Sequence, residues 1–538
     1  MQNNKESWST FRAILIALAM ITACQSIGKS DSSIVAPDST YCNPMNLNYN
    51  YHPKSKHREA ADPAVIFYKG NFYLFASRSG GYWVSPDLKK WTLIKSDNDK
   101  AFNTWAPVAF EYDGALYLNN SVKSHLWKTT TPKDPESWKD VANVPGGDPC
   151  VFVDDDKRVY MYANSRQYKG IGGWELDPEK DFSQIGKPVH MAQSDPANRG
   201  WEILGLVQGK QRKTWTEGAW VVKRKRKYYL SYASPCTEQP YYADGLYTSD
   251  SPLGPFTYAD YSPVSYFPMG FVPGAGHGCI FQDREGNDWR IMTGVISVRH
   301  RWDRRLNLFP AGVDENGEMY SNTYLADYPQ FLPGVNPDAK HDNLVGWMLL
   351  SYKKPATASS SMSKFPVENA FDETGRTWWS AASGNKGEWL QVDLGKVCTV
   401  NAIQINYSAQ DPKSKTDGRD DPHQYIIESS LDGKAWATVI DKSKNREPGP
   451  HDYVQLPKAV QGRYFRITNI HTPLGAKFCL SGFRILKWCE AKRTVGWLRS
   501  RGRNPTTATP LSSASAPPRR PFTRVLPCGT PTPSASSA

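Results

Sequence analysis

Three carboxylates with small neighbours are the residues of this chain best suited to acid–base chemistry. Asp62, Asp148 and Glu217 lie in AADPAV, GGDPCVF and TEGAW, the last two directly ahead of apolar runs. If they meet, burial and mutual repulsion raise at least one pKa, so that one carboxyl donates a proton near neutral pH while another accepts one. Such a pair is the equipment for hydrolysing a glycosidic bond. Taken singly, an Asp-Pro is usually a turn and a Glu beside Gly is usually solvated, so the inference depends on the fold.

An internal repeat supplies elements that would bring these residues together. Between about residues 60 and 320 the sequence contains five strand pairs with polar turns, and a second hairpin follows each pair. The first hairpins are FYKGNFYLFAS, FEYDGALYLNNS, FVDDDKRVYMYANS, VVKRKRKYYLSYAS and IFQDREGNDWRIMTG. Two hairpins make a four-stranded unit, and five such units predict an all-β, five-bladed β-propeller, with an open solenoid as the alternative.

Each predicted blade places one residue at the start of its innermost strand. Aligned on the return strands, these positions hold Asp62, Ala106, Asp148, Glu217 and His277. The Gly, Ala and Pro residues around them suit strands that converge on an axis. We therefore predict that three carboxylates and an imidazole face one central funnel.

Together, these segments resemble glycoside hydrolase family 43, five-bladed propellers related to β-xylosidases and α-L-arabinofuranosidases. The resemblance covers about residues 55 to 330 and rests on ADPAVIFYKGNFYLFAS, WAPVAFEYDGALYL, GGDPCVFVDDDKRVYMYA, TEGAWVVKRKRKYYLSYAS, SPLGPF and GAGHG. It implies that Asp62 is the general base, Asp148 the residue that adjusts the acid's pKa and holds the substrate, and Glu217 the general acid. It also implies inversion of anomeric configuration, which needs about 6.5 to 9.5 Å between acid and base to admit water. One hairpin turn departs from the family pattern, with DDDKR in place of DDGK.

Three further residues are candidate contacts at the funnel. His277 in GAGHG resembles a histidine that family members place near a calcium ion or water at the propeller centre. Because Ca²⁺ prefers oxygen ligands, we expect His277 to reach such a structural ion through water, or else to be a core histidine. Trp105 offers a face for a sugar to stack on, or packs between blades. Since side chains alternate along a strand, only one of Arg304 and Arg305 faces inward, and Arg304 is the candidate substrate contact. No cofactor is expected to be required.

The region after the propeller has a β-rich pattern of its own. The segments KPATASSS, ENAFDETGRTWWSA, GEWLQVDLG, YIIESSLDGKAW and GRYFRITNI resemble, in that order, the coagulation factor 5/8 type C (discoidin-like) sandwich, a jelly roll often used to bind carbohydrate. Gly482 stands where that family often has a calcium-binding acid, which weakens the expectation of an ion there. Of Trp378 and Trp379, one is expected in the core, and an exposed one is a candidate sugar contact.

The two ends of the chain read as targeting and tail segments. Lys5 and Arg12 precede an apolar run of eleven residues, 13–23, which is too short to span a bilayer and indicates a signal peptide. The run ends in Ile-Thr-Ala-Cys, which resembles the bacterial lipobox and makes Cys24 the expected lipidation site. At the other end, residues 493–538 contain seven Arg but no Asp, Glu or Lys, and are expected to be disordered. The net charge of +12 falls to +5 without those seven, so nucleic-acid binding is not predicted.

These observations predict an exported bacterial lipoprotein of the periplasm or cell surface, attached to the membrane by its lipid only. Its predicted activity is exo-acting, inverting hydrolysis that removes arabinofuranosyl, xylosyl or galactosyl units from plant polysaccharide. The alternatives are a non-catalytic glycan-binding lipoprotein and a propeller phosphorylase or lyase. The predicted domains are a signal peptide at 1–24, a linker at 25–50, the propeller at 51–325, a linker at 326–350, the sandwich at 351–488 and a tail at 489–538.

Overall fold

Strands form nearly all of the regular structure in the computed structural model of this chain. It describes residues 39–489 except 122–123, 166, 208–209, 212, 296–299, 324–326 and 336–345. These residues belong to one compact unit, and a second unit, 492–538, lies outside the described residues. The predicted signal segment with Cys24 and almost all of the predicted tail also lie outside them. No helix of the described part is long and apolar enough to cross a bilayer.

Residues 39–321 hold the N-terminal strands and a five-bladed propeller. The N-terminal strands are β1 (Thr40–Tyr41), β2 (Asn50–His52) and β3 (His57–Glu59). The strands of blade 1 are β4 (Ala64–Tyr68), β5 (Asn71–Phe75), β6 (Gly81–Ser85) and β7 (Thr92–Lys95), and a short helix α1 (Asp99–Phe102) follows them. Those of blade 2 are β8 (Val108–Tyr112), β9 (Ala115–Asn119), β10 (His125–Thr129) and β11 (Lys139–Asn143).

The remaining three blades repeat this order of four antiparallel strands. Blade 3 has β12 (Gly147–Val153), β13 (Val159–Ser165), β14 (Gly170–Asp177) and β15 (Ser183–Ala192). A small hairpin, β16 (Leu206–Val207) and β17 (Lys210–Gln211), precedes blade 4, which has β18 (Glu217–Arg224), β19 (Lys227–Ser234), β20 (Ala243–Ser249) and β21 (Thr257–Tyr258). Blade 5 has β22 (Gly276–Gln282), β23 (Asp288–Val295), β24 (Arg304–Val313) and β25 (Met319–Ser321).

Two-residue turns explain why the first hairpins form where the sequence predicts them. In blade 1 the turn residues Lys69 and Gly70 both have positive φ, and in blade 2 Asp113 and Gly114 do the same. Two successive positive φ angles define a type I′ turn, whose twist matches that of the paired strands. The prediction of a five-bladed propeller is confirmed.

The ring closes through its innermost strands and is packed by apolar clusters between blades. Each first strand contacts the first strand of the next blade, and β22 of blade 5 contacts β4 of blade 1. At that closing interface Val65 and Trp83 pack against Phe281 and Ile291. Four further clusters join the other neighbouring blades in the same way. Burying such side chains contributes about 1.5 to 3 kcal/mol each, which holds the ring together without a disulfide among the described cysteines.

The C-terminal strands form a β-sandwich around a second core. Its eight strands are β27 (Trp347–Leu349), β28 (Ala356–Ala358), β29 (Trp379–Ser380), β30 (Trp389–Tyr407), β31 (Gln424–Ser430), β32 (Ala437–Lys442), β33 (His451–His471) and β34 (Cys479–Trp488). They lie in the order β27-β34-β30-β33-β31-β32, with β28 paired to β30 and β29 to β34. Alternate residues Leu390, Val392 and Leu394 point into the core, beside the fully buried Trp379. The predicted sandwich is confirmed.

Both predicted linkers contain ordered strands. Within 326–350, the short strand β26 (Gln330–Phe331) pairs with β1, and β27 pairs with β34 of the sandwich. The N-terminal segment also lies against blade 5, where the amide of Asn43 donates to the carbonyl of Leu308 at 3.0 Å. These two segments are therefore packed against the folded domains and are not free linkers.

The propeller and the sandwich contact each other directly. Phe271 of the propeller accepts a backbone hydrogen bond from Gly375 at 2.8 Å. A Cβ added at Gly482 would lie 3.0 Å from the Phe271 ring. Gly482, the position where the F5/8 type C family often has a calcium-binding acid, therefore faces the propeller. The candidate sugar contact Trp378 is also largely covered, at 9% exposure, and stacks on Phe365.

Candidate active site

A β-bulge at the start of the innermost strands aims side chains at the axis. In blades 3, 4 and 5 two residues on the first strand oppose one on the second, between Gly147 and Cys150, Glu217 and Trp220, and Gly276 and Cys279. The first of the two bulged residues has a positive φ, as do the matching residues of blades 1 and 2. These five residues are Asp62 (51°), Ala106 (44°), Asp148 (46°), Gly218 (61°) and His277 (49°). Four of the five are not glycine, and left-handed backbone at such positions costs of order 1 kcal/mol or more, as is common at functional sites.

The predicted equivalence of Glu217 with Asp62 and Asp148 is wrong by one residue. Gly218 occupies the bulge position of blade 4, and Glu217 matches Gly147 of blade 3 and Gly276 of blade 5. The lengths of the hairpins differ, so counting back from the return strand could not fix the phase. Steric crowding explains why this residue is glycine, because a Cβ at Gly218 would lie 2.7 Å from Cγ of His277.

Asp62 lies buried among partners that favour its ionised form. The Ser77 hydroxyl donates to Oδ2 at 2.6 Å, Arg304 Nη1 donates to Oδ1 at 3.2 Å, and His277 Nδ1 lies 3.3 Å from Oδ1. Burial raises the pKa of this carboxyl, but Arg304, His277 and the Ser77 hydroxyl together more than offset it, so the pKa is lowered. Its own N–H is held by the Thr293 hydroxyl of blade 5 at 2.8 Å.

Glu217 has the opposite environment. It is half-buried, and the Tyr242 hydroxyl donates to its Oε1 at 2.8 Å. Burial and the nearby charge of Asp148 raise the pKa of Glu217 to about 7, although His277 and Tyr242 act in the other direction. A substantial fraction of Glu217 is therefore protonated at neutral pH while Asp62 is ionised.

Asp148 is held in place by two neighbours in blades 2 and 3. The Ser121 hydroxyl donates to its Oδ1 at 2.7 Å and accepts its backbone N–H at 2.6 Å. The Asn164 amide donates to Oδ2 at 2.9 Å. Asp148 is half-buried, and its charge is the largest electrostatic contribution that raises the Glu217 pKa.

His277 lies between the carboxylates at the axis. Burial lowers its pKa, but Asp62, Asp148, Glu217 and Asp244 outweigh that effect, so the imidazole pKa is raised. Its backbone N–H donates to Asp244 Oδ1 at 2.8 Å. Six to eight oxygen ligands are what Ca²⁺ takes, and an imidazole drawn towards protonation fits such an ion poorly. The predicted calcium ion stays a prediction, and no step of the proposed reaction is assigned to a metal.

Arg304 and Trp105 both lie beside Asp62. Arg304 is 2% exposed, and besides Asp62 its guanidinium contacts Glu59 Oε1 at 2.6 Å. It also lies 4.8 Å from the ring centre of Trp302 and 5.8 Å from that of Trp105. Arg305 turns to the other side of the strand and donates to His451 of the sandwich at 3.0 Å, as strand alternation requires. In this structure Arg304 contacts Asp62, and its predicted contact with substrate stays a prediction.

Trp105 keeps part of its surface open. It is half-buried, lies 5.2 Å from the ring of Trp302, and has the Arg78 guanidinium 5.1 Å from its ring centre. The predicted stacking of Trp105 on a sugar stays a prediction.

Several residues around the axis were missed by sequence reasoning. They are the hydrogen-bond partners Ser77, Ser121, Asn164, Tyr242 and Glu59, together with a buried ion pair between Asp244 and Arg290. Only Arg290 carried a visible signal, because it stands in blade 5 where the other return strands have tyrosine. Ser77, Ser121, Asn164 and Tyr242 lie 15 to 27 residues along the chain from the carboxylates that they contact.

One other group in the described part of the chain has metal-ligand chemistry. His52, His57 and Glu59 on the β2–β3 hairpin place possible ligand atoms within 4.8 Å of one another. Arg78 approaches His52 at 3.4 Å and Arg304 pairs with Glu59, and both positive charges oppose a cation there. We therefore interpret this cluster as residues that hold Arg304 in position, not as a metal site.

A carboxyl with a raised pKa and one with a lowered pKa at the axis of one propeller are the kind of pair that hydrolysis of a glycosidic bond uses. Two family models match the chain. Residues 56–317 match the model for glycosyl hydrolases family 43, and residues 355–481 match the F5/8 type C domain. The propeller therefore belongs to family 43, with an F5/8 type C domain attached.

Curated relatives include a beta-xylosidase of Xylanibacter ruminicola, 27% identical over 37% of this chain and 77% of that protein. Another is an arabinoxylan arabinofuranohydrolase of Paenibacillus polymyxa, 24% identical over 46% of this chain and 47% of that protein. A solved thermostable family-43 glycoside hydrolase is similar over 55% of this chain and all of that chain, at 21% identity and a TM-score of 0.44.

Proposed function

We propose that this protein is an exo-acting, inverting glycoside hydrolase that removes arabinofuranosyl or xylosyl units, or galactosyl units, from plant polysaccharide. The observation that carries the proposal is the meeting of Asp62, Asp148 and Glu217 around His277, with the pKa lowered for Asp62 and raised to about 7 for Glu217. An ionised base and a protonated acid near one another are what single-step hydrolysis needs. The two named relatives are a beta-xylosidase and an arabinoxylan arabinofuranohydrolase, which supports xylosyl and arabinofuranosyl units.

In the proposed reaction, Asp62 accepts a proton from a water molecule as the water oxygen bonds to the anomeric carbon. The bond from that carbon to the glycosidic oxygen breaks, and Glu217 gives its proton to the departing oxygen. The products are a free sugar of inverted configuration and the shortened chain. Asp62 then returns its proton to solvent and Glu217 takes one up, which restores the starting state.

The neighbours of the two carboxyls have distinct proposed roles. Asp148 keeps Glu217 protonated and is proposed to hold a sugar hydroxyl. Arg304 and His277 keep Asp62 ionised and in position, and Trp105 is proposed to stack on the sugar. The separation of about 6.5 to 9.5 Å between Asp62 and Glu217 stays a prediction of this mechanism.

The Glu217→Gln variant tests the acid. Removing a general acid slows turnover by about 10²- to 10⁴-fold, and the loss grows as the leaving alcohol becomes less acidic. We expect kcat on alkyl or disaccharide glycosides to fall further than kcat on para-nitrophenyl glycosides, with little change in KM. Equal losses on both leaving groups would contradict the role of Glu217.

A substrate screen decides the sugar. Wild-type protein is assayed on para-nitrophenyl α-L-arabinofuranoside, β-D-xyloside and β-D-galactoside, with proton NMR of the first-formed anomer. We expect turnover of at least one with inversion, and retention would contradict the mechanism. Wild-type protein that turns over none of them but binds oligosaccharide would favour the non-catalytic alternative.

We also propose that the protein is exported and lipidated at Cys24. The support is the lipobox-like segment that follows a basic and then apolar start. Expressed in a Gram-negative host with labelled palmitate, the wild type is expected to take up label and fractionate with membranes. Cys24→Ala is expected to lose both properties, and a labelled Cys24→Ala protein would contradict the proposal.

A further inference from the structure

One arginine of the sandwich reaches into the propeller beneath the proposed base. Arg419 is 8% exposed, and its Nη1 donates to the backbone carbonyls of Ser79 at 2.6 Å and Gly80 at 3.0 Å. The guanidinium is oriented by Asp417, whose Oδ2 accepts from Nε at 2.7 Å. A fixed, charge-assisted donor to two successive carbonyls is stronger than ordinary loop hydrogen bonds.

The loop that Arg419 holds is the one that orients Asp62. Residues 77–80 follow β5 of blade 1, and Ser77 at the start of the loop donates to Asp62 Oδ2 at 2.6 Å. The same hydroxyl accepts the N–H of Ala106 in blade 2 at 2.7 Å. The next residue, Arg78, lies against the ring of Trp105. The loop therefore carries contacts to the base and to the candidate sugar platform.

The turn that contains Arg419 also binds the β2–β3 hairpin, the other support of the base. The carbonyl of Asp417 accepts from the N–H of Tyr51 at 3.2 Å, and the carbonyl of Arg419 accepts from the Asn48 side chain at 3.0 Å. The hairpin ends in Glu59, which pairs with Arg304, and Arg304 contacts Asp62. One turn of the sandwich thus holds the loop that carries Ser77 and the hairpin whose Glu59 pairs with Arg304, and both Ser77 and Arg304 donate to Asp62.

We propose that Arg419 is a positioning residue for hydrolysis, and that the sandwich is a working part of the active site as well as any carbohydrate-binding module. The inference rests on the proposed role of Asp62 as base. Its consequence differs from that of a tethered binding module. Such a module changes action on a polymer only, whereas Arg419 affects turnover of a small aryl glycoside that the sandwich does not need to bind.

The test uses the full chain with Arg419→Ala, Arg419→Lys and a matched control, Arg463→Ala. Arg463 forms an ion pair of similar length, with Asp393 at 2.8 Å inside the sandwich, although its side chain is more exposed than that of Arg419. Because misplacing a reacting group by about 1 Å costs on the order of 10²-fold in rate, we expect Arg419→Ala to lower kcat on the preferred aryl glycoside by about 10- to 100-fold. KM is expected to change by a smaller factor than kcat, since the loop contacts Asp62 directly through Ser77 but reaches the sugar platform only through the contact of Arg78 with Trp105. Arg419→Lys, which keeps the charge and one donor, is expected to recover part of kcat, and Arg463→Ala to match wild type.

Two results separate this inference from the proposed function. A folded Arg419→Ala protein with wild-type kcat overturns the inference alone, because the wild type then hydrolyses as proposed. A wild type without hydrolase activity contradicts the proposed function, and crystal structures of wild type and Arg419→Ala then decide the inference without a substrate. We expect the 77–80 loop to move and Ser77 to leave Asp62 in the variant; an unmoved loop overturns the inference.

Discussion

At the residue scale, two carboxyl groups of ordinary acidity take opposite charge states because their neighbours differ. Asp62 contacts an arginine, a histidine and a hydroxyl, whereas Glu217 faces Asp148 and has one hydrogen-bond donor, Tyr242. Neither assignment follows from residue type. The charge state of each group depends on the neighbouring side chains that several blades contribute at the propeller axis.

The pH profile of kcat/KM should report both groups. Hydrolysis needs Asp62 ionised, which is lost as pH falls through its lowered pKa, and Glu217 protonated, which is lost as pH rises through about 7. We therefore expect a bell-shaped profile with its alkaline limb near pH 7. An enzyme that keeps full kcat/KM two pH units above that value would contradict the assignment of Glu217 as acid.

Two variants should move the alkaline limb in opposite directions. Tyr242→Phe removes a hydrogen bond that favours ionised Glu217, so its pKa and the limb are expected to rise. Asp148→Asn removes the charge that disfavours ionised Glu217, so the limb is expected to fall. Both are measured as kcat/KM against pH on one aryl glycoside, and shifts in the same direction would contradict the electrostatic account.

At the element scale, the positive-φ position at the start of each inner strand, which is a β-bulge in blades 3, 4 and 5, decides which side chains lie at the axis. In blade 4 this residue is a glycine and the acid precedes it, so Gly218 takes the backbone conformation that a carboxylate residue takes in blades 1 and 3. Its positive φ disfavours a side chain, and the nearby His277 ring leaves no room for a Cβ.

Gly218→Ala tests that constraint. We expect it to lower the free energy of unfolding by about 1 to 2 kcal/mol for the left-handed backbone, and further because the new Cβ displaces His277. Gly114→Ala is the matched control, since Gly114 also has a positive φ but a Cβ added there would meet no atom within 4 Å. Urea unfolding of both variants should give a larger loss for Gly218→Ala, with a fall in kcat that the control does not share. Equal losses would contradict the role of the contact.

The sequence predicts the strands better than it predicts their phase at the axis. Polar turns such as Lys69-Gly70 and Asp113-Gly114 mark hairpins because few residues adopt two positive φ angles in succession, and alternation then identifies the buried faces. A bulge adds one residue without changing the composition of the strand, so the offset of Glu217 from Asp148 is invisible in the pattern. Arg419 illustrates a further limit, since nothing near it in the chain indicates that it contacts a propeller loop some 340 residues away.

At the scale of the whole molecule, the propeller and the sandwich behave as one body in their contacts. Arg484 of β34 is 1% exposed, pairs with Glu373 and donates to the carbonyl of Asp327 on the propeller side. Phe271 packs beside it, with the guanidinium 5.4 Å from the ring centre. Opening the interface would expose the fully buried Phe271 ring and give up these hydrogen bonds, which contribute about 1 kcal/mol each, so it is unfavourable for both parts.

We therefore expect the two domains to unfold in a single transition. Calorimetry and tryptophan fluorescence of the wild type should give coincident midpoints. Phe271→Ala removes a fully buried ring, costs about 3 to 5 kcal/mol and should separate the transitions. Phe67→Ala, at a ring that is 47% exposed, is the control and should leave them coincident. Two well-separated transitions in the wild type would contradict the coupling.

The second blade offers a consequence of its own. Its bulge position holds Ala106, with the same positive φ as Asp62 and Asp148 and with its N–H held by Ser77. The methyl group there contributes no polar atom to its sector of the funnel wall. Ala106 is buried, and the hydroxyl that binds its N–H also donates to Asp62, so a longer side chain in the second blade would disturb the base in the first.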